Sequence, residues 1–170
     1  MHWQALDRCV AAFEMSGPAR SLAHLLKYGR VRAAARVMGE DLAPLSSAVA
    51  FDVAFAIPLH RSRQRQRGFN QAALLVQAAG WPVGEGMLRP RSTRSQVGLS
   101  LSERVANMDG AFHYDGPRLD GLTVAVVDDV VTTGATADAC ARELKEHGAR
   151  RVVALAYART SYLREPPAGT

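Results

Sequence analysis

The stretch that decides the fold of this chain is VAVVDDVVTTGAT, residues 124–136. It places four apolar residues ahead of two adjacent aspartates, Asp128 and Asp129, and then concentrates small residues in the run TTGAT (132–136). The apolar run predicts a buried strand, and the run of small residues predicts a turn into the helix that follows. Two carboxylates are therefore expected at the end of a buried strand.

Length and composition limit the class of protein. With 170 residues, of which 48% are hydrophobic and 22% charged, the chain indicates one globular domain. No run approaches the roughly 18 consecutive apolar residues of a membrane span, and the first residues lack the features of a signal peptide. We therefore expect a cytoplasmic protein without membrane insertion. The two cysteines, Cys9 and Cys140, are too few for a disulfide framework or a CxxC metal knuckle, and we expect both to be buried thiols.

The net charge of +5 favours a polyanionic partner. Of the 21 basic residues only Lys27 and Lys145 are lysines, and all others are arginines. Arginine is the better bidentate phosphate ligand, so its excess favours phosphate recognition. A GC-rich codon bias explains the same excess equally well.

Strands and helices alternate along the chain. Residues 17–29 and 31–42 predict a helical hairpin, and residues 46–59 predict a buried strand that ends at Pro58. Further helices are predicted at 70–80 and 136–148, strands at 86–90, 122–127 and 151–158, and polar loops at 60–71 and 91–112. This alternation predicts a parallel α/β sheet. We expect an N-terminal helical segment (1–47) packed on a core (48–160), followed by a disordered tail (161–170).

The two aspartates and the TTGAT turn together indicate a type of ligand. In an open parallel sheet, ligands bind outside the carboxyl ends of strands, where the next helix presents free backbone amides. A strand-end carboxylate accepts hydrogen bonds from two neighbouring hydroxyls, such as the diol of ribose. The turn supplies hydroxyls, amides and a glycine for close approach, which suits a monophosphate. The pattern therefore indicates a ribose 5-phosphate site. In the alternative interpretation, both aspartates only cap the turn.

Other phosphate motifs are absent from the sequence. It contains no GxxxxGK[ST] motif, and GEGMLR (84–89) lacks the third glycine of a dinucleotide fingerprint. Residues 124–136 instead resemble the phosphoribosyl pyrophosphate (PRPP) motif of type I phosphoribosyltransferases. Residues 57–75 and 91–112 are similar to motifs of the ComF family, competence-associated phosphoribosyltransferase-like proteins that include GntX. The resemblance covers roughly residues 17–160. It implies the type I phosphoribosyltransferase fold, a mostly parallel sheet flanked by helices with an N-terminal helical segment.

The resemblance also implies roles for individual residues. Asp128 and Asp129 would bind the ribose hydroxyls and would hold Mg²⁺ indirectly, through those hydroxyls or through water. The residues implied to hold the 5-phosphate are Val130, Val131, Thr132, Thr133, Gly134, Ala135 and Thr136. Those implied to face the pyrophosphate are Pro58, Leu59, His60, Arg61 and Arg67. A mobile loop from about residue 91 to 104 would supply the catalytic arginines Arg94 and Arg104.

Several of these residues have a purely local alternative. The arginine-rich segment 60–71 also fits a solvated basic loop, and Arg104 also fits a surface pair with Glu103. Gln96 and Asn70 also fit caps of local turns. His60 is a weak acid or base candidate, since a lone histidine is more often satisfied locally.

The sequence departs from the family pattern at two points. Many ComF-family chains begin with a cysteine-rich zinc-binding segment, whereas residues 1–16 supply only Cys9. That segment was either lost or lies upstream of this chain, and we expect no zinc. In hypoxanthine-guanine enzymes of this fold, an acid precedes the Thr-Gly of the loop and takes a purine proton. Thr132 stands in that position here, which argues against that substrate class rather than against catalysis.

Three functions remain open from the sequence. The first is a phosphoribosyltransferase, of the glycosyltransferase class, that uses PRPP and Mg²⁺, releases pyrophosphate and modifies an unknown acceptor. The second is a PRPP-binding regulator without catalysis. The third is a nucleic-acid-handling protein of the DNA uptake machinery, with single-stranded DNA or competence proteins as partners. A homodimer is compatible with the implied fold.

Overall fold

The computed structural model describes residues 3–28, 32–93 and 100–160, without the side chains of Leu101, Ser102 and Val105. Its strands are β1 (Arg8–Glu14), β2 (Val53–Ala56), β3 (Met87–Leu88), β4 (His113–Tyr114), β5 (Thr123–Val131) and β6 (Arg151–Arg159). Its helices are α1 (Gly17–Tyr28), α2 (Ala33–Leu42), α3 (Leu45–Ala48), α4 (Arg61–Arg67), α5 (Gln71–Ala78), α6 (Leu101–Met108) and α7 (Ala135–Glu146). The predicted tail 161–170, Arg94 and Gln96 lie outside these residues.

A four-stranded parallel sheet forms the centre of the fold. Its strand order is β1-β6-β5-β2, and β3 and β4 form a separate antiparallel pair. β5 pairs with β2 on one side and with β6 on the other, with Val124 opposite Val53 and opposite Val152. Helices cover both faces of this sheet, so the predicted α/β fold class is confirmed. Among the described residues, no helix is long and apolar enough to cross a membrane.

β5 separates two hydrophobic cores. Val124 and Val126 pack with α7 and the segment ahead of β1, whereas Ala125 and Val127 pack with α1, α2 and α5. This alternation arises because successive side chains of a strand point to opposite faces of the sheet. Cys9 and Cys140 are both buried, as predicted. Because both faces of the sheet are covered, β5 approaches solvent at its polar carboxyl end.

Strand β1 is a part of the sheet that the sequence analysis did not predict. It lies within residues 1–47, which were expected to be helical, and it pairs in parallel with β6 along its length. Its sequence, RCVAAFE, is short and rich in alanine, so it carries little β-strand propensity of its own. The pairing with β6, from the far end of the chain, makes it a strand.

Three segments have more helix than predicted. The predicted loop 60–71 contains α4, because arginine and glutamine are good helix formers and Gly68 ends the helix in a left-handed conformation (φ 82°). The predicted loop 91–112 contains α6, which begins at a reciprocal capping box between Ser100 and Glu103. Of the strand predicted over 46–59, only β2 forms, since the one-turn helix α3 precedes it.

Asp138 in the first turn of α7 holds the N-terminal segment against the core. Its Oδ1 accepts hydrogen bonds from the backbone N–H groups of Gln4, Ala5 and Leu6 at 3.0, 2.9 and 2.8 Å. The Asp138 residue is buried, with 6% of its surface exposed. One carboxylate therefore satisfies three backbone donors and fixes the path into β1.

Replacing this carboxylate is expected to destabilise the fold. Asp138→Ala leaves three backbone donors without their acceptor, so the free energy of unfolding should fall by about 2–4 kcal/mol. Urea unfolding followed by circular dichroism measures the change. Glu146→Ala, at an exposed position of the same helix, is the control and should change stability by less than about 0.5 kcal/mol. Equal stability losses in the two variants would contradict the anchoring role.

Candidate functional site

A cleft of about 510 Å³ opens where β5 ends and α7 begins. The predicted residues that line it are Asp128, Asp129, Val130, Val131, Thr132, Thr133, Gly134, Ala135 and Thr136. The other walls come from the end of α1, from α4 and the start of α5, and from residues near β3 and α6. The stretch singled out in the sequence therefore forms one side of this cleft.

The turn between β5 and α7 has a geometry that requires glycine. Gly134 has φ 77°, in the left-handed region, and α7 starts at the next residue. A Cβ atom at this position would lie 2.5 Å from Nε1 of Trp3, whose indole N–H also donates to the Thr133 carbonyl at 3.1 Å. The turn thus leads directly into the N-terminus of a twelve-residue helix, where free N–H groups favour an anion.

The two aspartates are held in different ways. Asp129 is 3% exposed, and its Oδ1 lies 3.0 Å from Nζ of Lys27. Within the described residues, its Oδ2 is buried and makes no hydrogen bond. Asp128 accepts a hydrogen bond from the backbone N–H of Asp129 at 2.8 Å. Each carboxylate therefore has a local contact, and one acceptor oxygen of Asp129 remains unused.

The electrostatics of this group depend on Lys27. Burial and the neighbouring Asp129 raise the pKa of Asp128 to about 7, and the Lys27 charge partly opposes that rise. Burial alone would lower the pKa of Lys27, but the charges of Asp129 and Asp128 outweigh it and raise that pKa. Lys27 is therefore a permanent cation beside two adjacent acids. At neutral pH a ligand that donates hydrogen bonds to the two aspartates would therefore stabilise this group of charges.

Four arginines line the other walls of the cleft. Arg63 and Arg67 lie one helical turn apart on α4, Arg89 follows β3, and Arg104 is on α6. Nη1 of Arg67 donates to Oε1 of Gln71 at 2.9 Å, and Nη1 of Arg104 donates to Oγ1 of Thr132 at 3.0 Å. The cleft thus joins an acidic pair to a basic wall, an arrangement that suits a ligand carrying both hydroxyls and phosphates.

Arg89 is the most buried of these arginines. It is 8% exposed, and its guanidinium lies over the Phe112 ring at 5.1 Å from the ring centroid. Nη2 donates to Oγ1 of Thr93 at 2.7 Å. Burial, followed by repulsion from Arg63, lowers the pKa of Arg89. A buried guanidinium that is repelled by its neighbour gains from an anion placed between the two.

The predicted pyrophosphate loop is only partly at the cleft. Leu59 and Arg67 line it, whereas Pro58, His60 and Arg61 are not among the lining residues. His60 instead caps α4, with Nδ1 accepting the Ser62 N–H at 3.3 Å, as its local alternative predicted. Because the segment is helical, Arg61 points away from the side that carries Arg67, and it is exposed.

Two other local alternatives have different outcomes. Asn70 is a helix cap, with Oδ1 accepting the Ala72 N–H at 3.0 Å, and its Nδ2 also donates to the Ile57 carbonyl at 3.0 Å. Arg104 reaches across to Thr132 in the cleft, while the Glu103 carboxylate accepts hydrogen bonds from Ser100. The cap is therefore confirmed for Asn70, and Arg104 belongs to the cleft. Arg94 lies outside the described residues.

Sequence reasoning missed three charged side chains of the cleft, namely Lys27, Arg63 and Arg89. If residues 61–67 had been predicted as a helix, the four-residue spacing would have placed Arg63 on the same face as Arg67. The sequence offered one indication that Lys27 is unusual, because it is one of only two lysines in the chain. Nothing local in the sequence places either Lys27 or Arg89 beside the end of β5.

Curated proteins similar to this chain are connected with DNA utilization and competence. DNA utilization protein YhgH of Salmonella typhi is 34% identical over 170 residues, which cover 93% of this chain and 73% of that protein. Competence protein F of Haemophilus influenzae is 34% identical over 103 residues, 56% of this chain and 45% of that protein. Competence protein ComFC of Bacillus subtilis is 34% identical over 92 residues, 54% of this chain and 38% of that protein. No protein-family model matches the chain.

The solved structures that resemble this chain have lower sequence identity to it than the curated relatives have. An allosteric regulatory enzyme of purine biosynthesis has 23% identity to this chain and a TM-score of 0.49. The match covers 75% of this chain and 26% of that enzyme. Orotate phosphoribosyltransferase of Mycobacterium tuberculosis H37Rv, solved with PRPP, has 20% identity and a TM-score of 0.46, covering 83% of this chain and 76% of that one. The family assignment rests on the sequence relatives. Because the match to YhgH covers 93% of this chain and 73% of that protein at 34% identity, the chain belongs to the family of DNA utilization protein YhgH, and it resembles the competence proteins F and ComFC over part of its length.

Proposed function

We propose that the cleft binds PRPP and that the chain transfers its phosphoribosyl group to an acceptor with release of pyrophosphate. The observation that carries this proposal is the arrangement of the acidic pair, the TTGAT turn and the arginines around one cleft. Asp128 and Asp129 suit the ribose hydroxyls, because carboxylate oxygens accept hydrogen bonds from hydroxyl groups. The turn and the N-terminus of α7 suit the 5-phosphate. The arginines suit the pyrophosphate.

The chemistry of the reaction matches the charges of the cleft. In the transfer, the bond from ribose C1 to the pyrophosphate oxygen breaks, a bond from C1 to the acceptor forms, and the acceptor loses a proton. Positive charge builds up on the ribose and negative charge on the leaving pyrophosphate. In the proposed reaction the acidic pair would stabilise the first, and Arg67 and Arg104, which line the same cleft, would stabilise the second.

Mg²⁺ is expected to accompany the substrate rather than to occupy a protein cage. Among the described residues, no group of three or more His, Cys, Asp or Glu side chains is arranged to hold a metal ion. Asp128 and Asp129 offer carboxylate oxygens, and Mg²⁺ prefers few protein ligands together with water and substrate phosphates. These two residues fit the indirect role that the sequence indicated. When bound, the ion would neutralise charge on the pyrophosphate.

PRPP with Mg²⁺ should stabilise the folded protein. A ligand at 100 times its dissociation constant that binds only the folded state adds about 2.7 kcal/mol, or roughly 5–10 °C in melting temperature. The double variant Asp128→Asn/Asp129→Asn should lose this shift, because it lacks the charged acceptors. Differential scanning fluorimetry measures it, with exposed Asp115→Asn as the matched control. A parent protein whose melting temperature ignores PRPP would refute the site assignment.

Pyrophosphate release separates an enzyme from a PRPP-binding regulator. With PRPP and Mg²⁺, a panel of nucleobases and amines should include at least one that stimulates release. Arg104→Gln should lower the rate on the order of 10²- to 10³-fold while sparing PRPP binding, since its charge acts on the developing pyrophosphate. Exposed Arg118→Gln is the control. Tight PRPP binding without release for any acceptor would favour the regulator.

Single-stranded DNA is a second candidate ligand, favoured by the outer side of α4. Arg61 and Arg65 are exposed there, opposite the side on which Arg63 and Arg67 line the cleft. Relatives of the chain carry the names DNA utilization protein and competence protein. One helix therefore offers a basic surface that the proposed transfer does not use.

Binding to single-stranded DNA should weaken with salt and depend on these two arginines. Each neutralised phosphate contributes about −0.7 to the slope of log affinity against log salt concentration, so Arg61→Gln/Arg65→Gln should flatten the slope by about 1.4. Fluorescence anisotropy of a labelled oligonucleotide measures it, with Arg118→Gln as the control. Absence of binding at low salt would exclude this ligand and leave the PRPP proposal untouched.

A further inference from the structure

Lys27 reaches the cleft from outside the β5–α7 unit. It lies in the last turn of α1, directly after Leu26, which is fully buried against the sheet together with Ala23 and Ala19. This apolar stripe fixes the position of the helix end beside the carboxyl end of β5. The side chain of Lys27 is 22% exposed, so most of its length is packed in the protein.

The contact between Lys27 and Asp129 leaves a specific acceptor. Nζ lies 3.0 Å from Oδ1, and the other oxygen, Oδ2, is buried and unpartnered within the described residues. A buried acceptor without a donor is costly, and native proteins seldom keep one without a role. Asp129 lines the cleft, so Oδ2 meets a ligand there only after a rotation of the carboxylate. A neutral hydroxyl supplies the missing donor without adding charge.

The charge of Lys27 also changes which ligands the acidic pair attracts. An acidic pair that became fully ionised would carry two negative charges and favour direct binding of a divalent cation. Lys27 cancels one of these charges from a position that the protein fixes. The pair is then less repulsive to a sugar phosphate and less attractive to a bare metal ion.

We infer that Lys27 is a positioning residue for the ribose of the proposed substrate. By holding Asp129 through Oδ1 and cancelling its charge, it keeps Oδ2 as the acceptor for a ribose hydroxyl and disfavours direct metal binding at the acidic pair. Any metal ion then enters with the pyrophosphate. This inference rests on the proposed function, because it assumes a phosphorylated ribose as the ligand.

Two titrations with simple probes test the role of Lys27. Isothermal titration measures the affinity for ribose 5-phosphate without metal, and electron paramagnetic resonance measures the affinity for Mn²⁺ without ligand. In Lys27→Met, ribose 5-phosphate affinity should fall by about tenfold or more, while Mn²⁺ affinity should rise severalfold. Lys27→Arg should stay near the parent in both measurements, because it keeps the charge.

The other lysine of the chain provides the matched control. Lys145 forms a 2.9 Å salt bridge to Asp7 away from the cleft, so Lys145→Met removes an equivalent pair and should leave both affinities unchanged. If Lys27 had only a structural role, Lys27→Met would weaken both affinities or neither of them. Either result would overturn the inference. Lys27→Gln, tested alongside, provides the same comparison if Lys27→Met does not fold.

Failure of the proposed function has a different signature. A parent protein that binds neither PRPP nor ribose 5-phosphate refutes the ligand assignment. The Mn²⁺ titration then still tests whether the charge of Lys27 disfavours direct metal binding at the acidic pair. Higher Mn²⁺ affinity in Lys27→Met than in the parent would support it, and equal affinity would overturn it.

Discussion

The pairing of β5 on both of its edges is the constraint on which the rest of the structure depends. β2 and β6 satisfy its backbone hydrogen bonds, and the two hydrophobic cores cover its faces. A strand enclosed in this way excludes charged side chains along most of its length. Polar chemistry is therefore confined to its carboxyl end, where Asp128 and Asp129 emerge. The elements that surround this end, α1, α4, α6 and α7, each contribute a residue to one cleft.

The cleft keeps its opposite charges on different walls. On one side Lys27 balances the acidic pair, and on another the arginines of α4 and α6 approach the turn, with Arg104 bonded to Thr132. A ligand of one charge sign satisfies only part of this surface. A ribose that carries a 5-phosphate, a pyrophosphate at C1 and two hydroxyls between them is complementary to all of it, so PRPP fits the proposed site better than a simple anion.

The part of the fold and site encoded locally was predictable from the sequence. β5, the TTGAT turn and α7 lie within one continuous stretch, so hydrophobic pattern and turn chemistry indicate the same unit. The strand was predicted to end at residue 127, but pairing with β6 extends β5 to Val131 and places both aspartates within it. β1 was missed because its partner β6 comes from the other end of the chain and its own residues are weak strand formers. α4 was missed because a run of arginine and glutamine resembles a solvated loop, although both residues favour helix. Lys27 was missed because only tertiary packing brings α1 to Asp129.

The strand order has a consequence for how the protein is made. Among the described strands, β1 comes first along the chain, and β6, which separates it from β5 in the sheet, comes last. Before β6 leaves the ribosome, β1 lacks its partner and β5 has one bare edge, so the central sheet is incomplete until then. Non-local pairing of this kind slows folding and exposes apolar edges to other chains. The described sheet is therefore completed only when β6 is available to pair with both β1 and β5.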